Sequence, residues 1–297
     1  MNVRFTVLLA VLLLCSACVS HQGRSDGQTL PVADHDYAVF TEQTYSPADW
    51  PETLGADVYV PRGAGPFPAI MLVHGGGWRE GRTRSDMNDI ARRLARHGFV
   101  VVNISYRFAP EYRFPAQLHD LQQAMHWIHD NAGAYRIDSE RIGGFGYSAG
   151  AHLVTLLATV SEGDELDQPH GGAETRLGAV VAGGLPSDLR KFDSGKLVRQ
   201  FLGGVREEIF SVYAQASPVV HVSPDDPPMF LYHGSWDQLV PVDHARDMYS
   251  ALQSADIDAE LFIDHSRGHI TMFLFDGDAV SAGTDFLVRQ LPANERE

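Results

Sequence analysis

Cysteine is nearly absent from this chain of 297 residues: Cys15 and Cys18 are the only two, and both fall in the first eighteen positions. A disulfide framework is therefore excluded, and stability has to come from an apolar core. Positive charge is also scarce. Twenty-three Lys and Arg stand against 38 Asp and Glu, a formal net charge of −15, which argues against nucleic acid as a partner and suggests a neutral or cationic substrate region. Long hydrophobic runs are missing, since the one unbroken stretch, Phe5 to Leu14, is too short to span a bilayer. No internal repeat or low-complexity tract is visible. The dinucleotide fingerprint G-x-G-x-x-G, with an acid after the next strand, is missing around the glycine-rich His74–Trp78 stretch. None of the fourteen histidines falls into the helix-borne spacing of a metal site beside a carboxylate base. Neither a cofactor nor a metal is expected.

What is present begins with a targeting segment. Arg4, the apolar run and Cys15-Ser16-Ala17-Cys18 form a positive start, a hydrophobic middle and a small-residue cleavage site. Residues 1–17 read as a signal peptide and Cys18 as the lipidated first residue of a bacterial envelope lipoprotein, which would anchor the chain to a membrane. Cys15 stands where such boxes usually carry Leu or Val, so ordinary cleavage after Ala17, giving a periplasmic or secreted protein, is the alternative. Residues 18–36 read as a polar tether, rich in Ser, Gly, Asp and Gln between His21 and Asp34.

The globular domain is expected over residues 37–297. A hydrophobic content of 44% suits one sizeable core. Strand patterns run over Tyr37–Tyr45, Ala56–Val60, Ala69–Val73, Phe99–Ile104, Arg141–Phe145, Gly178–Ala182, Met229–Tyr232 and Ala259–Ile263, with helix-like segments after the third and each later one. The alternation predicts an α/β fold: a mostly parallel, eight-stranded sheet with helices on both faces and functional loops at the strands' C-terminal ends. Residues 187–226 hold no strand pattern and read as a small cap, with short helices over Val198–Leu202 and Glu207–Ala216.

Chemistry concentrates in four places. Gly146-Tyr147-Ser148-Ala149-Gly150 puts a serine between two glycines, after a buried strand and before a helix. A tight strand-to-helix turn of this kind lifts the hydroxyl clear of the sheet and sets unpaired helix N–H groups beside it. His74-Gly75-Gly76-Gly77-Trp78 follows another strand, and its glycines let backbone N–H groups approach a developing oxyanion together with that of Ala149. Asp237 lies in the loop after Met229–Tyr232, and His269 in the loop after the last strand. A nucleophilic serine needs a base, and the base needs a partner that fixes its tautomer; Ser148, His269 and Asp237 fill those roles.

These motifs resemble an α/β-hydrolase of the esterase and lipase group with an HGGG oxyanion loop, close to hormone-sensitive-lipase-like and feruloyl or acetylxylan esterase-like enzymes. Ser105-Tyr106-Arg107-Phe108-Ala109-Pro110-Glu111, Phe114-Pro115-Ala116-Gln117 and Ala216-Ser217-Pro218 extend the resemblance. It implies a carboxylesterase-type serine hydrolase working through an acyl-enzyme, with Gly75, Gly76, Gly77 and Ala149 as the oxyanion hole. Trp78 is expected either to line the substrate pocket or to pack over the strand end. Asp243 and Asp264 are rival acids; the first reads better as a helix N-cap, the second as a local partner of His265 or Arg267. His265 is the rival base, and His269 is preferred because Gly268 precedes it, as in the family pattern. His74, His152 and His233 read as structural. A small cap favours short-chain or carbohydrate-linked esters. The alternatives are an arylformamidase or peptidase with the same three residues, and a non-catalytic binding module anchored at the envelope.

Overall fold

The computed structural model describes residues 19–23, 34–192 and 195–292. The expected signal peptide and Cys18 lie outside the described residues. Nine strands form one sheet: β1 (Val19–Gln22), β2 (Tyr37–Thr44), β3 (Gly55–Pro61), β4 (Phe67–Val73), β5 (Val100–Ile104), β6 (Ile137–Tyr147), β7 (Val180–Gly183), β8 (Met229–Gly234) and β9 (Ala259–Asp264). Their spatial order is β1-β9-β8-β7-β6-β4-β5-β3-β2. The six strands from β5 to β9 in that order are parallel, while β1, β3 and β2 pair antiparallel at the edges.

The α-helices are α1 (Asn88–Arg96), α2 (Ala116–Asp130), α3 (Ala132–Tyr135), α4 (Ala149–Thr159), α5 (Lys196–Leu202), α6 (Phe210–Gln215), α7 (Pro218–His221), α8 (Asp243–Ser254), α9 (His269–Leu274) and α10 (Gly277–Gln290). Because side chains alternate across a strand, Ala69, Met71 and Val73 of β4 enter one core with α2, α4 and α8, and Ile70 and Leu72 enter the other with α1 and α10. Burial on both faces is why β4 and β5 read as continuous apolar runs rather than as alternating ones.

The eight expected strands are all present, and a ninth corrects the tether reading over part of its length. Val19–Gln22 pairs with β9 in the register Val19↔Asp264 to Gln22↔Leu261. Its polar composition hides this, because an antiparallel edge strand is held mainly by backbone hydrogen bonds. Side chains help too: His21 Nε2 lies 2.7 Å from Glu260 Oε2, and the His21 ring sets its edge against Phe230 and Phe262. The cap segment carries α5, α6 and α7, matching the two short helices expected there to within a few residues.

Candidate active site

The serine turn is built by close packing. Ser148 has φ 54° and ψ −119°, a conformation disfavoured for any side-chain-bearing residue and held only because its surroundings leave no alternative. A Cβ at Gly146 would lie 2.4 Å from the Gly150 carbonyl carbon, and one at Gly150 would lie 2.1 Å from the Val73 carbonyl oxygen. The turn is thus pressed against the end of β4, where the glycine loop begins. The Ser148 N–H donates to the Gly183 carbonyl at 2.8 Å, tying the turn to β7 as well.

Ser148, His269 and Asp237 lie in one hydrogen-bonded line. The Ser148 hydroxyl is 2.8 Å from His269 Nε2, and His269 Nδ1 is 2.5 Å from Asp237 Oδ2. Asp237 is further held by the N–H groups of Leu239 and Val240, which donate to Oδ1 at 2.9 and 2.8 Å, and by His233 Nε2, 3.2 Å from Oδ2. Burial pushes the Asp237 carboxyl up, but the hydrogen bonds from His233 and His269, the attraction of the His269 charge and the Val240 N–H outweigh it and hold the carboxyl well below the usual carboxylate range. An ionised acid in this position keeps a proton on Nδ1 and leaves Nε2 free to accept one from the serine.

The rivals fall elsewhere. Asp264 accepts from Ser266 and Arg267 within its own loop. Asp243 is the first residue of α8 rather than its N-cap, which is Val242, and it pairs with Lys191 at 2.9 Å. His265 reaches Ser20 of β1 at 3.1 Å, away from the serine. His269 sits at the start of α9, with Gly268 as the cap, so it is presented by a helix end rather than by an open loop.

The glycine loop faces Ser148 from the side of β4. A Cβ at Gly75 would stand 2.9 Å from the Tyr147 carbonyl oxygen and 3.3 Å from Ser148 Cβ, so only glycine lets the loop lie this close. Gly75, Gly76, Gly77 and Ala149 line one pocket of about 540 Å³ with Ser148 and His269. Ala149 opens α4, so its N–H lacks the carbonyl partner that a helix interior supplies.

The sequence segments around this loop acquire specific tasks. Tyr106 stacks on His74, with ring centroids 4.5 Å apart, and its hydroxyl donates to the His74 carbonyl at 3.0 Å. The Ala109 N–H donates to the Trp78 carbonyl at 2.7 Å. Arg107 and Asp120 form a buried pair, Nε to Oδ1 at 2.8 Å, and the Trp50 indole N–H also donates to Oδ1 at 2.8 Å. Burial lowers His74 to about 4 and leaves it neutral at pH 7.

Trp78 lines the pocket yet is almost wholly buried. Its ring stacks on Phe201 of α5 at 4.4 Å, and its indole N–H donates to His152 Nδ1 at 3.2 Å, while His152 Nε2 lies 2.6 Å from the Ala216 carbonyl. Burial lowers His152 to about 4; the neutral ring accepts from one partner and donates to the other. Packing and pocket lining are here one role, because Trp78 couples the glycine loop to the cap. Phe192, Lys196, Leu197 and Val198 of the cap form the facing wall.

Two contacts escape sequence reasoning. The Tyr147 hydroxyl donates to the His269 carbonyl at 2.6 Å. Gly184, at φ 57°, approaches so near that a Cβ there would be 3.0 Å from His269 Cε1. Neither belongs to a motif, although Tyr147 adjoins the serine. Beside the pocket lies a second cleft of about 770 Å³, lined by Glu52, Phe108, Glu111, Tyr112, Arg113 and Gln200, among others, and sharing Arg79 and Glu80 with it. Among the described residues, no group of three or more His, Cys, Asp or Glu is arranged to hold a metal ion.

Comparison with known proteins agrees with this architecture. The BD-FAE family model matches residues 56–252. "Probable carboxylic ester hydrolase LipM" of Mycobacterium tuberculosis is 29% identical over 238 residues, covering 77% of this chain and 54% of that protein. "Esterase LipC" of the same organism is 30% identical over 201 residues, 64% of this chain and 49% of that one. The chain therefore spans about half the length of the curated relatives it matches. Among solved structures, a "Truncated form of carbohydrate esterase from gut microbiota" superposes with a TM-score of 0.75 at 23% identity, over 89% of this chain and 99% of that one. A Thermogutta terrifontis esterase with butyrate bound gives 0.71 at 20% identity, over 90% and 98%. These likenesses establish the fold.

Proposed function

The chain belongs to the BD-FAE family, and from that premise and the geometry around Ser148 we propose that it is a serine carboxylic-ester hydrolase. The observation that carries the reading is the line from Ser148 Oγ through His269 to Asp237, at 2.8 and 2.5 Å, set in the wall of a pocket lined by glycine-loop backbone. Ser148 attacks the ester carbonyl carbon while His269 Nε2 takes the hydroxyl proton. The tetrahedral oxyanion is held by N–H groups from Gly75–Gly77 and Ala149. His269 returns the proton to the leaving alcohol, Asp237 stabilises the imidazolium, and an acyl-enzyme remains. Water, deprotonated by His269, then releases the acid and restores the serine.

The names of the relatives support ester hydrolysis. The shape of the site supports short acyl groups: Trp78, stacked on Phe201 of α5, and the α5 residues Lys196, Leu197 and Val198 wall the pocket beside the glycine loop. The adjoining cleft, with its carboxylates, Arg113 and two aromatic rings, suits a polar, carbohydrate-like alcohol.

Ser148→Ala tests the mechanism. The variant should keep the fold, seen as an unchanged circular dichroism spectrum, and lose hydrolysis of p-nitrophenyl acetate and labelling by a fluorophosphonate probe. A wild-type rate in that variant would sink the assignment. A series of p-nitrophenyl esters of rising chain length, run beside acetylated xylan and methyl ferulate, tests the substrate class.

A further inference from the structure

The loops that bring Asp237 and His269 to the site also carry an apolar surface that catalysis does not use. Trp236, Leu239, Ile270, Leu274 and Phe275 are each more than half exposed; among the described residues Phe210 is the other large apolar side chain exposed to that degree, and it lies apart on α6. They form one rim. The Trp236 N–H donates to the Arg267 carbonyl at 2.9 Å, and the Arg267 guanidinium lies over the Phe275 ring at 5.2 Å. Ile270 and Leu274 are one helical turn apart on α9 and so share a face. Leu239 and Ile270 both line the Ser148 pocket. A contiguous apolar patch at a pocket mouth marks an interaction surface.

Its position relative to the N-terminus identifies the occupant. Strand β1 runs antiparallel to β9, so Val19 pairs with Asp264, at the end of the sheet where the chain turns into Arg267, His269 and α9. Ser20 meets His265 at 3.1 Å and His21 meets Glu260 at 2.7 Å, so this exit is pinned rather than loose. The chain before Val19 comprises Cys18 and the apolar run from Phe5 to Leu14. Cys18 directly precedes this pinned strand in the sequence, so a lipid on it would be tethered to the β9 end of the sheet. The polar cleft lined by Glu52, Glu111 and Arg113 lies on the far side of the site, toward β5 and β3.

We propose that this rim beds into the boundary between headgroups and acyl chains of a lipid bilayer, so that the mouth of the Ser148 pocket faces the membrane and the polar cleft stays in water. The inference rests on the reading of Cys18 as a lipid-bearing residue for how the chain is held there, whereas the rim is testable without it. The attraction is apolar, because a chain of net charge −15 is not drawn to a surface by bulk charge.

The test uses the chain from residue 18 onward, the form expected after cleavage, carrying Cys18→Ser, which removes the lipid acceptor, mixed with phosphatidylcholine vesicles whose acyl chains are brominated. Trp236 is the exposed tryptophan, Trp78 is buried, and Trp50 and Trp127 are half-buried. Bromolipid should quench the fluorescence, the quenching should survive high salt, and it should vanish in Trp236→Phe. Replacing Trp236, Leu274 and Phe275 together by serine should lower vesicle partitioning at least about tenfold, with the melting curve and the rate on water-soluble p-nitrophenyl acetate kept. Equal quenching in Trp236→Phe, or no association with vesicles, overturns the proposal. So does a dimer that the triple variant converts to monomer without any vesicle binding, which would seat a second copy on the rim. If vesicles bind the Cys18→Ser chain but the native protein carries no lipid, the anchor reading fails and the rim inference stands.

Discussion

Replacing Asp237 by asparagine keeps the shape of the side chain and changes its charge and its hydrogen-bonding capacity, which isolates what the carboxylate does. Oδ1 accepts from the Leu239 and Val240 N–H groups, and Oδ2 faces the nitrogens of His269 and His233 at 2.5 and 3.2 Å. An asparagine has two ways to sit. With its oxygen toward the histidines it would point its NH₂ at the buried Val240 N–H and the part-buried Leu239 N–H, leaving the buried one unpaired at about 1–3 kcal/mol. With its oxygen toward Leu239 and Val240 those bonds survive, and the NH₂ faces the histidines. His233 still has the Val240 carbonyl at 2.8 Å. His269 needs only to move its proton from Nδ1 to Nε2, a cheap change for a neutral imidazole. The second arrangement therefore wins, and it leaves a proton where Ser148 must deliver one. The expected result is a fall in kcat of about 10⁴-fold, or about 5.5 kcal/mol in barrier, with KM little changed and stability lowered by about 1–3 kcal/mol. Steady-state kinetics on p-nitrophenyl acetate, with urea unfolding as the control, measures both. Asp264→Asn and Asp243→Asn, run in parallel, should stay near the wild-type rate. An Asp237→Asn enzyme within tenfold of wild type would refute the reasoning, as would an equal loss in Asp264→Asn.

Gly184→Ala puts a methyl group 3.0 Å from His269 Cε1 at a residue with φ 57°; the strained backbone and the displaced imidazole together should reduce kcat about 10- to 100-fold, and an unchanged rate would show that the imidazole is not held from this side. Burial lowers His74, His152 and His244 to about 4. The unfolded chain takes up these protons near pH 6.5 while the fold refuses them until about pH 4, so each residue makes stability fall with falling pH across that window by up to about 1.4 kcal/mol per pH unit. Burial also pushes Asp120 and Asp226 up to about 6, which pulls the other way, so the clean measurement is the difference in slope between wild type and His152→Gln in denaturant titrations from pH 7 to 4.5. Equal slopes would mean that His152 is not held neutral.

The sheet was legible in the chain because burial on both faces writes itself as long apolar runs, and the parallel order follows from alternating strands and helices. The serine turn was legible because its glycines have no substitute: a Cβ at Gly146 or Gly150 would come within 2.4 Å of neighbouring backbone. Composition misled at β1, where Val19–Gln22 reads as tether because backbone pairing to an edge strand leaves no apolar signature. Asp243 misled in a smaller way, since a helix's first residue and its cap carry the same preference for acids.

Residue types and spacing alone determined the fold class, the strand order along the chain and the short list of chemical groups, because each depends on local periodicity or on a turn that only certain residues can make. They favoured His269 over His265 through the Gly268 before it, and Asp237 over Asp243 and Asp264 through its place in the loop after β8, but members of each set stand at strand ends and helix starts of the same kind, so spacing could not supply the contacts themselves. Tertiary structure decided it. Packing β8 beside β9 brings Asp237 Oδ2 to 2.5 Å from His269 Nδ1, while Asp264 turns to Ser266 and Arg267 and His265 turns to Ser20. A hydrogen bond is won or lost within half an ångström, a distance set by how layers pack rather than by how residues follow one another.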